Sequence, residues 1–88
     1  MRTILVHSGT IRHQDQIIFI ASPRRTRNDI LHELNWWLFD YFYAQGTPFI
    51  RIPPLDDWTR SSEHHNHWFV HFPDTDWLLT IMEDPLTI

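Results

Sequence analysis

Four histidines, His64, His65, His67 and His71, crowd one short stretch of the chain. Imidazole is a metal ligand, a general base and a pH-sensitive charge, so this stretch is the first place to look for chemistry. On an extended strand His65, His67 and His71 share a face. They stand about 7 Å and 13 Å apart along it, at ~3.3 Å per residue. His65 and His67 are close enough to share an ion if Glu63 or His7 supplied a third ligand, whereas His71 needs strand curvature to join. The spacing matches no ligand motif such as HExxH, so the expected metal and cofactor complement is none, with His65 and His67 the candidates of last resort.

Arg24, Arg25 and Arg27 form the second group. They precede or open a helix, where backbone N–H groups and guanidinium forks both favour anions. The only glycines are Gly9 and Gly46, so no glycine-rich phosphate loop accompanies them. A solvated helix entrance, bridged to Asp29 and Glu33 or to a partner, is the plainer reading. Serines at 8, 22, 61 and 62 lie in no nucleophile elbow. Asp56, Asp57, Asp74 and Asp76 fall in turn-like segments, where aspartate serves the backbone. No reaction emerges, and the chain reads as non-enzymatic.

The third group is aromatic. The stretch NDILHELNWWLFDYFYAQ, residues 28–45, is helical in pattern. At 100° per residue, Ile30, Leu31, Leu34, Leu38, Tyr41 and Phe42 make one wide apolar stripe, with Trp37 at its edge. Roughly opposite lie His32, Trp36, Phe39 and Tyr43. One stripe suffices to pack the helix on a sheet. The second face must be covered by the chain's remaining strands, by a second copy or by a partner. Trp and Tyr near arginine are the usual material of interface hot spots.

The elements that must position these groups follow from pattern. Residues 3–8 and 16–21 read as antiparallel strands, with 9–15 as turn. The run Ile17, Ile18, Phe19, Ile20 suggests a strand covered on both faces. The helix is capped either by Ser22, with Pro23 first, or by Thr26, with Asp29 three residues on. Gly46 ends it, with Pro48 just beyond. Residues 48–53 form a short proline-bounded strand, and 54–66 a polar loop carrying Trp58. Residues 67–72 and 77–82 make a hairpin that pairs Phe72 with Trp77, Val70 with Leu79 and Trp68 with Ile81 on one core face. Residues 83–88 are a tail that Pro85 keeps out of the sheet. The order is ββαβββ: a single α+β domain over 1–88, a mostly antiparallel sheet of about five strands on one helix.

Composition sets outer limits. Eighty-eight residues bury only ~60–65% of the unfolded surface, so thirteen aromatics carry much of the stability. There is no cysteine, which removes disulfides, thiolate catalysis and zinc fingers together. A staple-free domain of this size is expected in the cytoplasm of the producing or infected cell. No run reaches transmembrane length and the first residues lack a signal-peptide pattern, so no membrane partner is expected.

All seven basic residues are arginine. Residues 1–53 hold six of them against four acids; residues 54–88 hold one against seven. A net charge of −4 makes direct nucleic-acid binding an unfavoured reading. The sequence therefore points to a small binding module. Its expected docking residues are Trp36, Phe39, Tyr43 and His32, aided by Trp58, Asp56 and Asp57. Size and style fit a bacteriophage or mobile-element inhibitor of a host complex, anti-defence in type. The other classes are a metal- or phosphate-dependent enzyme built on the histidine and arginine groups, and a homodimeric scaffold.

Overall fold

The computed structural model describes residues 1–63 and 66–88, residue 22 by its backbone only. Five strands form one antiparallel sheet: β1 (Thr3–His13), β2 (Gln16–Arg24), β3 (Thr59–Arg60), β4 (His67–His71) and β5 (Trp77–Thr87). Their spatial order is β2-β1-β5-β4-β3, and α1 (Arg27–Gln45) lies across one face. This is the expected ββαβββ order on a single sheet. Several segments differ from the sequence reading, each for a physical reason.

β1 does not stop at Ser8. It runs to His13 and pairs with β5 over its whole length. The turn is only Gln14 and Asp15, both at positive φ (54° and 62°), between the paired His13 and Gln16. Two consecutive left-handed residues match the twist of a two-residue hairpin. Gln-Asp lacks the Asn-Gly signature of such a turn, so the sequence conceals it.

Gly9, which looked like turn material, is instead the helix seat. A Cβ there would lie 2.5 Å from Cγ2 of Ile30 and 3.2 Å from the Thr80 carbonyl oxygen. Only a residue without a side chain lets α1 approach this closely.

β5 also overruns its expected end. Pro85 stands opposite Leu5, inside the strand. The Glu83 N–H donates to the Asn66 carbonyl (2.9 Å), and the Asn66 amide donates to the Glu83 carbonyl, so residue 83 points its polar groups toward β4. Two residues on, the nitrogen of Pro85 points the same way, past the end of β4. Its missing donor therefore interrupts no ladder with β1.

Residues 48–53 form no strand. Prolines at 48, 53 and 54 deprive this segment of donors, and it runs as an extended strap beside α1. Ile52 is buried and Ile50 packs against the core, while Phe49 and Arg51 point outward. The third strand comes instead from within the expected loop, where Thr59 and Arg60 pair with Phe69 and Trp68.

α1 is capped by Thr26, the second of the two alternatives, whose Oγ1 accepts the Asp29 N–H at 3.1 Å. Gly46 closes it at φ 69°, with its N–H on the Tyr43 carbonyl. The buried residues of the helix are Ile30, Leu34, Leu38 and Phe42, the centre of the expected stripe. They meet Ile11, Leu79, Ile81 and Trp77 of the sheet. The hairpin register is as expected, with Trp68 opposite Ile81 and Val70 opposite Leu79. β2 is not covered on both faces. It is an edge strand, with Phe19 and Ala21 turned to the helix side and Ile20 64% exposed on the other.

One buried polar group ties the layers together. The ring of His7 donates from Nδ1 to the Arg25 carbonyl (3.1 Å) at the helix entrance, and its Nε2 meets Oε2 of Glu83 at 3.0 Å. β1, β5 and the start of α1 are thereby joined through one imidazole.

Two stability predictions follow from these contacts. Gly9→Ala lowers the unfolding free energy by about 1–3 kcal/mol, against the usual strand preference for alanine, because the added carbon meets Ile30. Urea denaturation with an unshifted midpoint contradicts the close seat. Glu83→Ala strips a buried imidazole nitrogen of its partner and costs about 1–3 kcal/mol. Glu83→Gln, which keeps a hydrogen-bonding oxygen and nitrogen there, is the milder change in the same denaturation assay.

Candidate functional site

The outer face of α1 stays uncovered. Trp36 is 63% exposed, Phe39 46% and Tyr43 79%, and His32 beside them is exposed as well. Their spacing of three and four residues stacks them along one side of the helix. The rings touch. Trp36 meets Phe39 edge-on at 6.2 Å between centroids, and Phe39 stacks near Tyr43 at 6.4 Å. Phe39 is the hub, because it also meets Phe49 of the strap at 5.9 Å. Phe49 in turn reaches the core through Phe42 at 6.5 Å. An exposed aromatic row is thus continuous with a buried one.

The strap opens a groove on the flank of this row. Its volume is about 470 Å³. Leu31, His32 and Asn35 of the helix form one wall; Phe49, Arg51 and Ile52 form the other, with Pro53 and Pro54 at its end. Phe49 and Arg51 were missed by the sequence reading, which placed them in a strand. The signal was present in the alternation itself: with Ile50 and Ile52 inward, 49 and 51 must face out.

Trp58 does not join the row. It is 6% exposed, and its indole Nε1–H donates to the Pro53 carbonyl at 3.0 Å. A large apolar ring on a polar loop finds the core when the loop folds back, and here it anchors the end of the strap. Asp56 and Asp57 are exposed on a 3₁₀ turn, Leu55–Asp57, directly after the proline pair.

The arginine group is dispersed. Arg24 binds Oε1 of Glu33 through Nε (2.9 Å) and Nη2 (2.5 Å). Arg27 lies over the Trp68 ring at 4.5 Å, and Arg60 approaches the same ring at 5.6 Å. Among the described residues Arg25 makes no such side-chain contact, though its carbonyl serves His7. Cation–π and carboxylate contacts have taken the forks that an anion site would need.

The histidines are separated as well. His67 and His71 stand opposite Met82 and Leu78, on the sheet face away from α1. His7 is on the helix side and already bonded, so it does not reach them. His64 and His65 lie outside the described residues. Among the described residues no three His, Asp or Glu side chains are placed to hold a metal ion. Nor is any helix long and apolar enough to cross a membrane.

Comparison with known proteins finds no matching family model, no matching curated protein and no matching solved structure.

Proposed function

We propose that this chain is a non-enzymatic binding module that docks another protein through the outer face of α1. The observation that carries this reading is the continuous contact among Trp36, Phe39 and Tyr43 while all three stay exposed. Scattered exposed apolar residues are ordinary; a touching aromatic row on a small domain is not. Such rings offer large, rigid contact area with little rotamer entropy to lose. Asp29 and Asp40 are exposed on one flank of the row, and the groove with Arg51 lies on the other. The face therefore has a charged sense of direction, which sets how a partner can sit. Asp56 and Asp57 extend the acidic surface beyond the groove end.

The narrower form of the reading is an inhibitor that occupies a working surface of a host machine, as a bacteriophage anti-defence protein does. Its support is the acidic charge of residues 54–88, able to compete for a basic groove.

Two measurements test the docking reading together. Sedimentation of the untagged protein over a concentration series is expected to give a monomer. Capture from the source cell is expected to retain one partner in fixed stoichiometry, lost in Trp36→Asp/Tyr43→Asp and kept in Ile20→Asp on the opposite layer. Both variants should melt close to the parent, since exposed positions shift stability by ~0.5 kcal/mol or less. A dimer that the Trp36/Tyr43 variant dissociates would replace the foreign partner by a second copy. Capture indifferent to these two substitutions sinks the docking face.

A further inference from the structure

We infer that the groove beside the aromatic row receives an apolar side chain with a neighbouring carboxylate, supplied by an acidic segment of the docked partner. This rests on the reading of α1 as a docking face and specifies what enters it.

Three observations carry the assignment. The first is lining. Leu31, Phe49, Ile52 and the proline pair make an apolar trough of about 470 Å³, within the usual size range of a ligand site. It has room for a large aliphatic or aromatic side chain together with the neighbouring residue that carries it in.

The second is charge. The ionisable side chains at its rim are Arg51 and His32, and no acid lines it. Arg51 is exposed, and its guanidinium meets no carboxylate or ring among the described residues. A free fork at the mouth of an apolar trough matches a carboxylate carried next to the inserted side chain. A cationic segment would meet like charge there. The acids Asp29 and Asp40 lie on the far flank of the aromatic row, and Asp56 and Asp57 lie beyond the proline end of the trough, so the carboxylate belongs at the Arg51 side.

The third is the absence of a strand-addition edge. Pro48, Pro53 and Pro54 have no N–H, and the Pro53 carbonyl is already taken by Trp58. The strap therefore offers little backbone for β-augmentation, and recognition must run through side chains. Asn35 on the helix wall adds one amide able to satisfy a partner's backbone.

The test is an NMR titration of the full chain with two capped dipeptides, acetyl-phenylalanyl-glutamate amide and its glutamine counterpart, and with inorganic phosphate. The glutamate probe is expected to shift the signals of His32, Asn35 and Arg51 saturably in the millimolar range, at least about fivefold more tightly than the glutamine probe. Arg51→Gln is expected to erase that preference while leaving the weak binding of the glutamine probe. Equal binding of the two dipeptides overturns the carboxylate assignment. Phosphate acting as well as the glutamate probe reduces Arg51 to a bare cation and overturns the trough. No shift from any probe up to ~20 mM overturns the site altogether. Partner capture still lost in Trp36→Asp/Tyr43→Asp would then show that the docking face stands without the groove.

Discussion

The structure depends on how closely α1 can sit on the middle of the sheet. That distance is set at Gly9, where Ile30 and the Thr80 carbonyl occupy the space a side chain would need. β1 and β5 pair over their whole length at the heart of the sheet, and the helix lies chiefly over β1 and β2, reaching β5 at its margin. Once Ile30, Leu34, Leu38 and Phe42 are pressed onto Ile11, Leu79 and Ile81, the rotation of the helix is fixed. Its opposite side must then point away from the sheet. Exposure of Trp36, Phe39 and Tyr43 follows from the seat, and among the described residues no further element makes a third layer over them.

The strap is the one segment that partly answers this deficit. Leaving Gly46, it turns back along the flank of α1, buries Ile52 and lays Phe49 against Phe39 and Phe42. It covers the flank and not the crown. Trp58 pins its far end, because an indole that is both buried and hydrogen-bonded to Pro53 fixes ring and backbone together. Held on a helix and a pinned strap, the proposed docking surface is preorganised, which lowers the ordering cost of association.

Much of the architecture was legible because it rests on periodicity. The stripe on α1, the Thr26 cap, the Gly46 stop and the Trp68–Ile81 register are local or nearly local patterns, and each stands as the sequence implied. The departures share one cause: a residue's local preference was overruled by where its backbone groups point in the sheet. Pro85 is tolerated because its nitrogen faces past the end of β4. Gln14 and Asp15 turn tightly because β1 and β2 already pair on both sides of them. Residues 48–53 have strand-like side chains but too few donors. At the candidate site, the aromatic row was readable from the helical wheel, and Phe49 and Arg51 from alternation. The burial of Trp58 was not, since only the tertiary path of a polar loop decides it. The bridge from the arginine group to Glu33 was among the readings of the sequence and is made by Arg24, whereas the stacking of Arg27 on Trp68, distant in sequence, was not legible.

The sheet leaves a second face bare, and comparing the two surfaces explains why α1 is the better docking candidate. On the open sheet face, apolar residues are interrupted along nearly every row. Ile20 stands next to Thr10, Thr10 next to Thr80, and only then comes Phe69. Met82 lies between Ser8 and His67, Leu78 between Arg12 and His71, and Val6 faces Asp84. Ile4 and Leu86 pair apolar to apolar, but at the far end of the ladder. Threonine and serine hydroxyls in the middle of that face are hydrated at little cost, and a partner would have to replace that water. On α1 the rings adjoin one another without such gaps, so association removes contiguous apolar surface and leaves few polar groups unpaired. Both faces are exposed, but the continuity of the apolar surface favours the helix.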